Sequence, residues 1–247
     1  MGASNRDAGP GPHAPVLYQQ ALSALEPRAG GRYIDGTLGG GGHALGILES
    51  TRPDGELLGM DRDPLALNVA AGRLAAYAGR FHLRNASFAA MAEQAEALGW
   101  DGVEGILFDL GLSSMQLDDP ARGFSFRFEG PLDMRFDPSQ ALTAGEIVNR
   151  WDEAALADVF RRYGEQPRAG AVARAIVQAR PVHTTTALAR IVTRAAGRSR
   201  SGIHPATQTF QALRLAVNRE LEELSEGLAA SLGLLRERGR LVVISFH

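Results

Sequence analysis

Apolar residues in this chain fall into short runs separated by turn residues. The runs at 33–35, 57–61, 81–84 and 105–110 have the length and bounding residues of buried strands, and 44–49, 64–77 and 88–98 between them show helical spacing. Such alternation predicts an α/β fold on a parallel sheet. A further strand pattern at 241–245 lies far downstream of Leu110, although a crossover needs only a few tens of residues. Something is therefore inserted. Within the gap, 154–163, 169–179 and 186–195 place small apolar residues on one helical side, which predicts a second, α-helical domain. One long amphipathic helix, 205 to about 235, is expected to lead back to the sheet with Phe210, Leu213, Val217, Leu221, Leu224 and Leu228 buried. In 122–136 aromatics alternate with polar residues, which suits either a half-buried hairpin or a surface that stacks on a nucleobase.

Composition narrows the classes. With 247 residues, 45% of them hydrophobic, the chain can bury a sizeable core. It has no cysteine, so disulfides and thiolate metal sites are excluded, and its six histidines lack ligand spacing; no metal is expected. No apolar run reaches membrane length, and 1–12 is polar and rich in Gly and Pro, so a disordered amino terminus and a cytoplasmic location are expected. The net charge is −2, yet all 26 Lys-plus-Arg positions are arginine, and 161–200 holds many of them with Glu165 as its single acid. That span is either a phosphate-binding face or a set of solvated helix surfaces.

The chemistry concentrates at strand ends. The stretch 32–43, RYIDGTLGGGGH, ends a strand in Asp35 and turns through glycines that let a ligand approach the backbone. Gly39, Gly41 and Ala44 meet only the looser G-x-G-x-x-A form of a dinucleotide loop. Asp35 suits an α-ammonium and would repel a pyrophosphate, which points to S-adenosylmethionine rather than a nicotinamide dinucleotide; a plain surface turn is the alternative. Asp61 follows about 20 residues later, where an acid accepts from ribose hydroxyls, unless it serves as a second helix cap. Asp63 and Pro64 read as the N-cap and first turn of the next helix. Asp109 ends the fourth strand, and three carboxylates in one crevice call for a cationic, hydroxyl-bearing occupant. Ser113 and Ser114, just beyond, either approach a substrate or cap the next turn.

Several stretches carry a resemblance that spans nearly the whole chain from His13: HAPVLYQQAL, DGTLGGGGH, GMDRDPLAL, DLGLSSMQLDDPARGFSFRFEGPLDMRFDP, RYGEQ, HPATQTFQALRLAVNRELEEL and GRLVVISFH. Together they resemble the bacterial small-subunit ribosomal RNA cytosine-N4 methyltransferase (MraW) family. The resemblance implies a Rossmann-like class I S-adenosylmethionine-dependent methyltransferase with an inserted all-α domain. It implies boundaries of 13–116 with 206–247 for the cofactor domain and 117–205 for an RNA-recognising insert. It further implies methylation of N4 of a cytidine in the decoding centre of 16S rRNA in the small ribosomal subunit, by a monomer or a homodimer. By motif, Gly41, Gly42 and His43 would hold the methionine end, Asp61 the ribose, Phe88 the adenine, and Asp109 and Gln116 the remaining polar edges. On pattern alone Phe88 equally reads as a core residue at a helix start. The implied reaction is direct methyl transfer, with Asp109 or a nearby carbonyl accepting the N4 proton and Ser113, Ser114 and the RGFSF segment approaching the base; a paired target must first be flipped out.

Gln20, Gln166 and Gln208 depart from the family pattern, each where a charge is usual. Relatives also continue past SFH into further strands, so the chain is expected to be a partial sequence with an exposed sheet edge. A nucleotide-dependent oxidoreductase and a non-catalytic RNA-binding form are the competing expectations.

Overall fold

The computed structural model describes residues 15–197 and 204–246. The expected disordered segment 1–12, together with Arg198 and Arg200, lies outside the described residues. The chain divides into two units, Met1–Gly111 with Glu223–His247 and Leu112–Glu222.

In the first unit, strands β1 (Arg32–Asp35), β2 (Glu56–Asp61), β3 (Phe81–Asn85), β4 (Val103–Asp109) and β5 (Leu235–Ile244) form a parallel sheet in the order β3-β2-β1-β4-β5. The central strands read as near-continuous apolar runs because the sheet is covered on both faces. On one face Tyr33, Leu57 and Leu107 pack with Ala44, Ile47, Leu48 and Leu74, drawn from helices α2 (Gly42–Ser50) and α3 (Pro64–Leu74), and with Leu25 of α1 (Tyr18–Leu25). On the other, Ile34, Leu58, Ile106 and Phe108 meet Trp100 and two residues of α4 (Met91–Ala97), Met91 and Ala95. This is the Rossmann-like arrangement. As expected, Asp63 caps α3 by accepting from the Leu65 N–H at 3.0 Å, and Pro64 fills the first helical position, where no N–H is needed.

The second unit is helical: α5 (Ser114–Asp118), α6 (Ala144–Arg150), α7 (Glu153–Arg162), α8 (Ala169–Gln178), α9 (Thr185–Ala196) and α10 (Ala206–Asn218). Thr143, Asp152 and Thr184 cap α6, α7 and α9 through their side-chain oxygens. Ile147, Phe160, Val172, Ile176, Leu188, Val192 and Leu213 close its core.

Two expectations are corrected. The single helix from 205 to about 235 is two, α10 and α11 (Glu220–Leu234), because Arg219 takes a left-handed backbone with φ 53°. The apolar stripe is continuous in sequence but serves two cores: Phe210, Leu213 and Val217 belong to the second unit's core and Leu224 to the first's. Leu221, expected to be buried, is 46% exposed, and Leu228 is also exposed. Nor does 122–136 form a hairpin. Phe124 and Phe126 both pack toward the core, which a period of two along a strand allows, but the backbone turns at Gly123 and Met134, with φ of 71° and 61°. Gly123 and Gly130 each approach another carbonyl so closely that a Cβ has no room.

Candidate active site

Strand register gathers the acids. Asp35 lies level with Gly59 of β2 and Leu107 of β4, so Asp61 and Asp109 each stand two residues beyond it on the flanking strands. Side chains alternate faces with a period of two, which directs all three carboxylates to the same face at the carboxyl ends of adjacent strands. The chain leaves β1 toward β2 and β3, then returns to the opposite side as β4, so this is the topological switch point where open α/β sheets bind ligands.

The glycine loop supplies the rest. Gly39 and Gly41 adopt φ of 50° and 75°, which side chains rarely tolerate, and Gly41 leads into α2. The Gly39 N–H donates to Asp61 Oδ2 at 2.8 Å and the Asp63 N–H to Asp61 Oδ1 at 2.8 Å, fixing that carboxylate. Burial raises the Asp61 pKa, and these two N–H groups oppose the rise. Thr37 joins the other two acids: its N–H donates to Asp35 Oδ1 at 3.2 Å, and its hydroxyl accepts from the Asp109 N–H at 2.6 Å.

Asp35 is 1% exposed, and its pKa is pushed up to about 7, chiefly by burial, with His43 and the Thr37 N–H pulling it down and Asp109 and Asp61 adding to the rise. His43, on α2, is 5% exposed and stacks on Tyr18 with centroids 5.9 Å apart. Its Nε2 lies 3.6 Å from Asp109 Oδ2, and both ring nitrogens lack a hydrogen-bond partner. Buried polar groups are nearly always paired, so orphaned nitrogens beside crowded carboxylates mark a place built for something else. A cation that also carries hydroxyl and carboxylate groups fits. It relieves the repulsion among the acids and gives the imidazole a partner.

The remaining expected residues lie as follows. Gly42 opens α2, where a Cβ would collide with Pro15. Phe88 begins a short 3-10 turn; its half-buried ring tilts against Phe108 at 4.7 Å and lies over Gly227. Ser113, Ser114 and Gln116 belong to the second unit. There Ser113 and Gln116 form a reciprocal cap on α5: the Gln116 N–H donates to Ser113 Oγ at 3.3 Å, and the Ser113 N–H to Gln116 Oε1 at 3.1 Å. Ser114 is exposed. Two departures from the family pattern share one junction, since Gln166 donates to the Pro205 carbonyl at 3.3 Å and Gln208 to the Glu165 carbonyl at 3.3 Å. Gln20 is exposed on α1.

Thr37 and Tyr18 went unread in the sequence. Thr37 stands inside the DGT motif, so its hydroxyl was available as a signal; nothing in local pattern tied Tyr18 to His43. Among the described residues no group of three or more His, Cys, Asp or Glu could hold a metal ion. No helix among them is long and apolar enough to cross a membrane.

The chain is also similar to known proteins. The MraW methylase family pattern matches residues 11–247. A protein of Thermomicrobium roseum named ribosomal RNA small subunit methyltransferase H is 55% identical over 238 residues, covering 95% of this chain and 73% of that one. Proteins of the same name from Dehalococcoides mccartyi and Nitratidesulfovibrio vulgaris are 50% and 52% identical, covering 96% and 95% of this chain and 68% and 75% of their own lengths. Among solved structures, an S-adenosylmethionine-dependent O-methyltransferase from Thermotoga maritima matches 39% of this chain and 35% of its own at 15% identity, with a TM-score of 0.33. That overlap is too partial to carry an argument. With the family pattern matched over nearly its whole length and relatives at half identity or better, this chain belongs to the MraW methylase family.

Proposed function

We propose that this protein methylates the N4 amino group of a cytidine in the decoding centre of 16S ribosomal RNA, using S-adenosylmethionine, and does so in the cytoplasm where small subunits are found. The observation that carries the reading is the set of three same-face carboxylates around a buried imidazole with unpartnered nitrogens. Membership of a methylase family and the relatives' shared name support the reaction class and the RNA substrate.

When bound, the cofactor supplies an electrophilic methyl group on a positively charged sulfur. Asp35 would meet its ammonium, Gly41, Gly42 and His43 the methionine end, Asp61 the ribose hydroxyls, Phe88 the adenine, and Gln116 a further polar edge. The Asp61 carboxylate is held by backbone N–H groups, Gly39 on Oδ2 and Asp63 on Oδ1, and each oxygen can accept further bonds from hydroxyl donors. Asp109 is anchored at its backbone by its own N–H on Thr37, and its carboxylate, 3.6 Å from His43 Nε2, would accept a hydrogen bond from the cytosine amino group and then its proton. The exocyclic nitrogen is a poor nucleophile because its lone pair is delocalised into the ring, so positioning supplies most of the acceleration. Ser113 and Ser114 would approach the base. Asp109→Ala is expected to lower methyl transfer to small-subunit RNA at least about a hundredfold while leaving equilibrium dialysis of labelled cofactor within severalfold. Undiminished turnover would remove Asp109 from the mechanism, and a chain that binds RNA but no cofactor would replace the enzyme with an RNA-binding protein.

A further inference from the structure

Three phenylalanines of the RGFSFRF segment suit base stacking on sequence alone, and the structure separates them. Phe124 is buried and stacks on Phe136 at 5.6 Å. Phe126 packs on His204 at 4.7 Å and on Phe210 at 4.9 Å. Phe128 alone points outward, 61% exposed.

The backbone that presents it is fixed. Thr185, fully buried at the start of α9, donates its hydroxyl to the Phe128 carbonyl at 2.9 Å and accepts from the Gly130 N–H at 3.1 Å. Its own N–H donates to the Gly130 carbonyl at 2.9 Å, and Pro131 bridges to Thr184. Beside it the Glu129 carboxylate is taken up by the Thr186 hydroxyl at 2.9 Å. The Arg127 guanidinium is exposed and makes no ion pair among the described residues. An apolar ring held in water by a well-anchored turn adds nothing to the core and leaves its face open to a planar partner. Paired with an unengaged guanidinium, it has the two elements that single-stranded nucleic acid requires, a face for a base and a charge for a phosphate.

We infer that Phe128 is a stacking platform for one unpaired base of the RNA substrate, with Arg127 holding an adjoining phosphate. The inference rests on the RNA-methylating function proposed above and adds a contact residue to it.

The test is filter binding of a labelled single-stranded fragment of small-subunit ribosomal RNA over a range of salt, with cofactor dialysis run alongside. Phe128→Ala is expected to bind the fragment about tenfold more weakly or worse, with an unchanged salt slope and unchanged cofactor binding. Phe128→Trp is expected to bind like the unaltered protein, because any aromatic face serves. Arg127→Gln should flatten the salt slope by roughly one phosphate contact. Phe128→Ala binding the fragment like the unaltered protein overturns the inference and leaves the proposed function standing. Loss confined to intact subunits, with the naked fragment unaffected, also overturns it and assigns Phe128 to a protein surface. An unaltered protein that holds no fragment overturns the inference, and methyl transfer to intact small subunits by that same protein keeps the proposed function standing.

Discussion

Buried polar groups are treated in opposite ways in the helical unit and at the strand tips of the sheet unit. In the helical unit the Asn218 amide, 1% exposed, accepts from the Phe136 N–H at 2.8 Å and donates to the Met134 carbonyl at 2.8 Å and the Arg214 carbonyl at 3.0 Å. Thr185 is likewise spent on three backbone bonds, and Gln166 reaches the Pro205 carbonyl. At the strand tips of the sheet unit, Asp35 is buried against its own charge and His43 has no hydrogen-bond partner for either nitrogen. The Thr209 hydroxyl, also unpartnered, is the helical unit's one exception among the described residues. A satisfied network specifies a packing. An unsatisfied one stores a cost that a ligand can relieve, and the contrast separates the scaffold from the site.

The largest expected effect breaks that contrast at Asp35. Its carboxyl has a folded pKa of about 7 against an ordinary 3.8. Between those values the folded chain keeps a proton that the unfolded chain releases, so stability falls as pH rises through the window, and the full cost is present above about 7. Asp35→Asn removes the cost. The variant should be more stable at pH 8 by up to roughly 4 kcal/mol, with the gain vanishing near pH 4, as read by urea denaturation at both pH values. The same change should weaken S-adenosylmethionine binding at least about tenfold, because a neutral amide no longer attracts the ammonium. In the unaltered protein, affinity should fall as pH is lowered from 7.5 to 5.5, because binding requires the ionised carboxylate; in Asp35→Asn the fall should be largely gone. A variant that gains no stability and keeps its affinity would place Asp35 among ordinary buried groups.

Asn218 is the matching probe in the helical unit. Asn218→Ala strands the Phe136 N–H and the Met134 carbonyl, and should cost about 2–3 kcal/mol of unfolding free energy in urea denaturation, with cofactor affinity unchanged. These two residues also differ in how far sequence exposes them. Asp35, Asp61 and Asp109 are legible because a parallel strand buried on both faces is an unbroken apolar run, and an acid at its end stands out. Asn218 is not legible. It sits where one apolar stripe changes allegiance from one core to the other, and periodicity records that a side is buried without recording against what. The same blindness produced the expected single helix through Arg219. The aromatic alternation at 122–136 misled in a related way, since the chain folds back on itself there: Gly123 packs against the Pro131 carbonyl and the Met134 N–H donates to the Arg122 carbonyl at 3.0 Å. Thr37 escaped notice because its role is to join two strand tips, a relation fixed by register.

The smallest expected effect bears on Ser113, where scaffold and chemistry compete for one hydroxyl. Its oxygen accepts from the Gln116 N–H, so Ser113→Ala should cost about 1 kcal/mol through loss of the cap alone. A drop in methyl transfer in that variant would therefore be ambiguous. Ser113→Asp separates the two roles, because an aspartate caps as well as a serine but cannot donate a hydrogen bond to a base when ionised, and it adds a negative charge. If the residue only caps, Ser113→Asp should restore both the stability and the turnover lost in Ser113→Ala. If the hydroxyl also serves the substrate, stability should return while turnover on RNA stays down. Ser114→Ala, at an exposed first helical position outside the Ser113–Gln116 capping pair, should leave stability within about 0.5 kcal/mol, so any loss of turnover there reports on chemistry directly.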